Sequence, residues 1–443
     1  MYERISNPVR LAQTALNLVR NPLDTFVELQ STRSSIVEFE VSNTANRVYL
    51  IFEPNLINKL QTQHTNNLEK TTRDMQILRT LSGDQMFTAP HSDSEWIWRR
   101  KGLQEAFHRE KLNSYAPTID DETENIAQRM ISDKLHGTSK DLYFYTTILT
   151  ARVAAKTLLG TDIRLEKETE LVSQISGMLG YFSDCVRSGT LLWRLNWLPT
   201  NYNRQAKKMV RDLKNYCRSI ASKRIQNPTE ENDLLSLIVN RYSEHFSGEK
   251  LEEEAGHEVM DFLLAGHETT SNTLVWSLIL LSQNPEFKDR IRKADDTEAN
   301  NLCRAVFEEA LRLYPPIWLT TRRASIDISL ETQDGQNIVI KKGAYIAFPV
   351  YAIHHNTELW GVDANTFKPE RFLNHERPEK GSFIPFGLGT RSCIGSGFAY
   401  LEGPRVLKTL VQKYDITTSN PHPQKYATLR PDKLVDFQIK TLS

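Results

Sequence analysis

Across residues 117–282 apolar positions recur every three or four residues, with Lys, Arg and Glu between them. That is the period of helices that bury one face. The spacing predicts helices over 165–182, 204–227, 251–283 and 302–313. Asn284-Pro285 and Tyr314-Pro315-Pro316 stop two of them, because proline has no N–H for the ladder and drives its predecessor towards extended backbone. Short strand-like runs lie at 35–41, 47–52, 325–330, 337–340 and 434–440, with Gly335 and Gly343 as turns. Residues 184–203, carrying Trp193, Trp197 and Tyr202, read as a loop-rich insertion. No internal repeat and no linker rich in Pro, Gly or Ser divides the chain. The expectation is one large, mainly α domain over 1–443 with a smaller β portion.

Composition narrows the function classes. With 55 Lys+Arg against 55 Asp+Glu, there is no bulk positive charge for nucleic acid. At 39% hydrophobic and 25% charged over 443 residues, the chain can build a core large enough to enclose a cofactor. Arg4, Arg10 and Arg20 interrupt the apolar residues of the N-terminus, so no signal peptide is expected. The most apolar long window, 261–282, holds His267 and Glu268 at its middle, which argues against a membrane span. Four cysteines (Cys185, Cys217, Cys303 and Cys393) form no CxxC and no zinc spacing. They suggest a reducing compartment, and a cytoplasmic protein is expected.

One cysteine has a telling context. Residues 386–395 read Phe-Gly-Leu-Gly-Thr-Arg-Ser-Cys-Ile-Gly, followed by a helix-like run. Gly387 and Gly389 permit a tight, irregular backbone. Cys393 then falls just ahead of a helix start, where free N–H groups and the dipole favour a thiolate. That is what a haem iron needs of a cysteine, and Gly395 would let a flat macrocycle approach. The competing reading is an inert, buried cysteine, and it stands for the other three.

The second feature is Ala265-Gly266-His267-Glu268-Thr269-Thr270 at the middle of the predicted long helix. Thr269 can bond back to the carbonyl of Ala265 and open a groove. A carboxylate beside a hydroxyl there could hold water and relay protons. The alternative is a polar stripe on a buried helix; His267 is read as surface-facing or locally bonded. Glu309 and Arg312 share a helix face, which alone reads as a solvated ion pair. Trp96 and Arg100 lie one helical turn apart, which alone reads as an amphipathic surface helix.

Together, and in this order, these motifs resemble the cytochrome P-450 family. Phe386-x-x-Gly389-x-Arg391-x-Cys393-x-Gly395 is similar to its haem-binding signature, and Ala265–Thr270 to its oxygen-activation motif. Glu309, Arg312 and Arg371 (in Phe-Lys-Pro-Glu-Arg-Phe) resemble its structural triad. The resemblance implies a P-450 fold with haem between the long helix, about 251–283, and the cysteine loop, 386–395. It implies haem b with Cys393 as the metal ligand, and Arg391, Trp96, Arg100 and Arg322 as donors to its propionates. Phe386, Gly395 and Ala265 would line the group, and Thr269 and Glu268 would be catalytic. Phe182, Phe262, Ala265, Ile317 and Trp318 would line an apolar substrate pocket.

The implied function is a haem-thiolate monooxygenase that inserts one atom of O2 into a lipophilic small molecule. Electrons from NAD(P)H would come through a separate donor of ferredoxin or flavodoxin type, because no such segment follows Ser443. A soluble, bacterial-type monomer is expected, with no nucleic acid and no membrane span. The rival readings are oxidative coupling, cyclisation or peroxide-driven oxidation, a non-catalytic haem sensor, and a helical protein without haem. One departure is Gly403-Pro404 in the helix after the cysteine, where proline should kink or break it.

Overall fold

The computed structural model describes residues 1–32, 34–40, 47–83, 85–92, 94–162, 165–229, 233–373 and 378–442, with backbone alone at 94, 95 and 165–167. These residues gather into two compact units.

The first unit comprises 1–76, 90–94 and 311–393. It is built on a six-stranded sheet in the order Tyr2–Ile5, Ile36–Glu40, Arg47–Ile51, Tyr345–Phe348, Thr320–Ala324, Leu68–Glu69. Ile36, Val37, Phe39, Leu50, Ile51, Ile346, Ala347 and Phe348 are all buried. Such unbroken apolar runs mark strands covered on both faces. Glu38 intrudes into this core; Arg47 meets it at 2.9 Å and the Tyr49 hydroxyl donates to it at 3.3 Å. The hairpin Ile328–Glu331/Asn337–Ile340 alternates buried and exposed positions, and Gly335 takes φ +76° in its turn.

The second unit comprises 77–89, 95–310 and 394–443. The 36-residue helix Gly248–Gln283 runs through it. Helices Leu142–Leu158, Asn201–Gln226, Leu234–Ser243 and Ser396–Lys413 pack around it. From Glu258 to Leu281 the long helix is buried on nearly every side, as a core helix must be. Gly256 lets the neighbouring helix close in: a Cβ there would stand 2.8 Å from the Arg218 Cα. Two short hairpins complete the unit, Tyr414–Thr418 with Phe437–Thr441 and Pro423–Lys425 with Leu429–Pro431. No described helix is long and apolar enough to cross a membrane.

Several predicted boundaries move. The helices run Leu165–Arg187, Asn201–Gln226 and Asp296–Leu313, longer than their apolar periods. Residues 184–203 are only partly loop, with turns at 188–190 and 195–200 between helical stretches. Cys185 extends the buried face of the first helix, Leu191–Arg194 forms a further turn, and the Thr200 hydroxyl accepts from Asn203 N–H to cap the next helix. The predicted run 325–330 is a strand only from Ile328, as Ile328–Glu331, and an unpredicted strand, Thr320–Ala324, precedes it. The latter has a polar sequence and becomes a strand through pairing with Tyr345–Phe348. Residue 41, the end of a predicted strand, lies outside the described residues. The expected break at Pro404 does not occur: Ser396–Lys413 is continuous. Gly403 lies against the Phe307 ring, into which a Cβ would run, and Pro404 is buried beside it. Tight packing holds the helix across its missing hydrogen bond.

Candidate functional site

The cysteine loop belongs to the first unit and is shaped by two left-handed glycines, Gly387 (φ +66°) and Gly389 (φ +69°). Gln61, on helix Pro54–Thr62, explains the second. A Cβ on Gly389 would collide with the Gln61 carbonyl oxygen, while the Gln61 Oε1 accepts the Leu388 N–H at 2.8 Å. The Cys393 N–H donates to the Phe386 carbonyl at 2.8 Å, folding the loop back on itself. Upstream, His354 Nε2 accepts the Ile384 N–H at 3.0 Å. Burial holds that imidazole well below its ordinary pKa, which keeps it a neutral acceptor. Sequence reasoning gave His354 no chemical role; its place is to anchor the approach to the loop.

Cys393 is the one exposed cysteine of the four. Burial pushes the Cys185 thiol up to about 11 and that of Cys303 to about 12, and Cys217 is raised as well. These three are inert core residues. The loop therefore presents a single accessible sulfur.

The first unit also carries Arg391, Arg322 and Arg323. Arg391 is half-buried. With burial as the larger cause, its charge holds the nearby His91 below the ordinary imidazole range. The Glu69 carboxylate accepts the N–H groups of His91 (2.6 Å) and Ser92 (3.0 Å). Arg322 and Arg323 point to opposite faces of their strand. Arg323 donates to the Gly343 carbonyl at 3.0 Å and stacks over Tyr345. Arg322 is half-buried and donates to the Thr321 carbonyl at 2.7 Å, and burial lowers its pKa to about 10 despite Asp74. A guanidinium so placed is suited to an anionic partner.

The Glu-x-x-Arg pair is not solvated: Glu309 and Arg312 are both fully buried. Arg312 donates to the carbonyls of His354 (2.8 Å), Ala364 (2.6 Å) and Thr366 (3.3 Å). Arg371 donates to the Trp360 (2.7 Å) and Asp363 (2.8 Å) carbonyls and pairs with the Asp363 carboxylate, whose pKa falls to about 2. These arginines staple the segment that leads into the loop. Ile317 is half-buried, and the Trp318 ring lies 6.3 Å from that of Phe26, against the sheet core.

In the second unit, helix Ser94–Leu103 buries Trp96, Arg99 and Leu103 and half-buries Arg100, while Ile97 and Lys101 face solvent. On the long helix, Ala265 is exposed and Leu264, Gly266 and Thr269 are partly so, although the helix is buried elsewhere around them. The Thr269 hydroxyl donates to the Ala265 carbonyl at 2.8 Å. The polar neighbours turn the other way. Thr146 and Thr147 share hydrogen bonds with Ser271 (2.9 and 3.0 Å), and Thr150 donates to the His267 carbonyl (3.0 Å). His267 is wholly buried and bonds Leu263 O through Nδ1, so it is not surface-facing. Phe262 stacks on Phe107 at 5.9 Å, Phe182 is half-buried, and Gly395 precedes the first turn of Ser396–Lys413.

Glu268 does not sit beside the Thr269 hydroxyl as a simple pair. Its Oε2 accepts the Tyr143 hydroxyl at 2.6 Å, and its Oε1 accepts that of Thr428 at 2.8 Å. Asn272 Nδ2 bonds Thr428 Oγ1 at 3.1 Å and reaches Glu268 Oε1 at 3.4 Å. Neither Tyr143 nor Thr428 was tied to Glu268 from sequence, because their separation along the chain hides the contact.

A family model described as Cytochrome P450 matches residues 6–437. The chain belongs to the cytochrome P450 family. This P450 is thus a monooxygenase, an oxidoreductase whose family works with haem, O2, a redox partner and a small-molecule substrate. It is similar to a cytokinin hydroxylase of Arabidopsis thaliana, 29% identical over 412 residues, which are 88% of this chain and 78% of that one. It is also similar to cytochrome P450 716A67 of Medicago truncatula, 29% identical over 375 residues, 77% of this chain and 70% of the other. Its fold matches the crystal structure of CYP175A1 from Thermus thermophilus, with a TM-score of 0.78, 24% identity and complete coverage of both chains. The residues of the cysteine loop suit the family's haem. They offer one accessible sulfur in a loop too tight for side chains at Gly389, and the half-buried Arg322 belongs to the same unit.

Proposed function

We propose that this P450 inserts one atom of O2 into a lipophilic small molecule. In this reading Cys393 holds haem b, and Arg391 and Arg322 take its propionates; the sequence pattern gives Trp96 and Arg100 the same task. Phe386, Gly395 and Ala265 line the group. The haem supplies the O2 chemistry when bound. The observation that carries the reading is the accessibility of Cys393 in a loop built around it, while the other three cysteines are buried.

The protein's own residues supply protons and exclude water. Thr269, open at the middle of the long helix, presents a hydroxyl that can pass a proton from its Oγ1, and Glu268 is the carboxylate one residue away. Phe182, Phe262, Ile317 and Trp318 contribute apolar surface for the substrate, and the hydroxylase names of relatives favour hydroxylation. Electrons derived from NAD(P)H arrive through a separate ferredoxin- or flavodoxin-type protein. A monomeric state and a cytoplasmic location belong to the same proposal; sedimentation and cell fractionation test them. Turnover under ¹⁸O₂ tests the reaction. One labelled oxygen should appear in the product, and a product without label would remove the monooxygenation reading.

A further inference from the structure

We infer that Tyr143 and Thr428 are positioning residues that fix Glu268 for its part in proton delivery, tying it to helix Leu142–Leu158 and to the C-terminal hairpin. This rests on the reading of Glu268 and Thr269 above. The geometry is complete on both carboxylate oxygens: Tyr143 Oη donates to Oε2 at 2.6 Å and Thr428 Oγ1 to Oε1 at 2.8 Å. Glu268 is almost wholly buried, so no bulk water competes for either oxygen.

The donors come from distant parts of the chain that the fold pins in place. The start of Leu142–Leu158 is held by Leu142 N–H bonding the Val435 carbonyl at 3.0 Å. Thr428 is buried in the turn between Pro423–Lys425 and Leu429–Pro431, and its carbonyl accepts the Tyr426 N–H at 3.0 Å. Both anchors thus hang on the C-terminal segment. A small movement of that hairpin would take a donor from Glu268.

The direction of the Tyr143 bond is fixed by its surroundings. Burial and the Glu268 charge raise the phenol well above its ordinary pKa, with Arg430 opposing. Tyr143 therefore stays protonated and can only donate to the carboxylate. The titratable or charged groups that face this pair are Tyr143 from Leu142–Leu158, Arg430 from Leu429–Pro431 and His267 from the long helix. Burial keeps His267 neutral despite the Glu268 charge. Arg430 also stacks over Tyr426 at 3.8 Å, so the cation nearest the phenol is fixed by the same hairpin.

A carboxylate that loses a donor is held less firmly in one orientation. Haem-loaded Tyr143→Phe and Thr428→Val enzymes should keep the reduced-CO spectrum of the wild type. They should lower coupling (product formed per NAD(P)H consumed) several-fold. Infrared difference spectra, with the Glu268 carboxylate stretch identified by its loss in Glu268→Gln, should shift in both variants. Thr428→Ser should restore both readouts, which a merely structural role would not require. If Tyr143→Phe does not fold, Thr428→Val and its serine rescue carry the test. A folded variant with unchanged coupling and unchanged carboxylate stretch would overturn the inference. The ¹⁸O₂ experiment on wild-type enzyme stands apart from both readouts, so failure here leaves the monooxygenation reading intact.

Discussion

At the scale of single residues, the cysteine loop is decided by what cannot be there. Gly387 and Gly389 both have positive φ, but only Gly389 is pressed against backbone, with the Gln61 carbonyl oxygen where its Cβ would be. At Gly387 the nearest atom is Gln61 Oε1 at 3.6 Å, an ordinary contact. Gly387→Ala should then cost about 1–2 kcal/mol, the left-handed backbone alone. Gly389→Ala should cost more than about 2 kcal/mol and lower the haem bound per protein, because a main chain must move. Urea unfolding of the two variants gives the comparison; equal losses would show that Gln61 does not shape the loop. The glycines and Cys393 were legible in the sequence because their spacing is local. Gln61 and His91 were not, since each meets the loop or its arginine from a separate stretch of chain.

At the scale of elements, the long helix and the helix that follows the cysteine loop both tolerate features that ought to weaken them. The long helix places Gly266, Thr269 and Thr270 at its middle, yet it is unbroken from Gly248 to Gln283 because neighbouring helices satisfy and cover it. The helix Ser396–Lys413 carries Pro404 and, two residues earlier, the wholly buried Glu402, neither of whose oxygens has a hydrogen-bond partner. Burial pushes the Glu402 carboxyl well above its ordinary value of 4.5, so the folded protein keeps it protonated. The unfolded chain releases that proton at ordinary carboxylate pH. Stability is therefore lost as pH rises above that range, by about 1.4 kcal/mol per unit until the folded carboxyl ionises. Glu402→Gln keeps the shape and removes the titration. Urea unfolding from about pH 5 to about pH 7 should show a variant that gains on wild type as pH rises. Parallel curves would contradict the neutral carboxyl. The sequence warned of Pro404 but not of its remedy, because the Phe307 ring that fills the space at Gly403 comes from a different helix.

At the scale of the whole molecule, the helix period and the order of the motifs were enough to name the fold class, since each motif is short and its residues stay together. What sequence could not show was burial. Taken alone, Glu309 and Arg312 read as a surface pair and are fully enclosed; residues 184–203 read as loop-rich and are about half helix. The balanced charge of 55 basic against 55 acidic residues leaves recognition of an electron donor to local patches rather than to overall attraction. The account depends on the Cys393 sulfur as the ligand of a haem iron. The most direct measurement is the absorption of the reduced, CO-treated protein, wild type against Cys393→Ser. The wild type should show the long-wavelength Soret band of a thiolate opposite CO, and the variant should lose it. An unchanged band in Cys393→Ser, or no haem absorption in the wild type reconstituted with haem, would contradict the assignment.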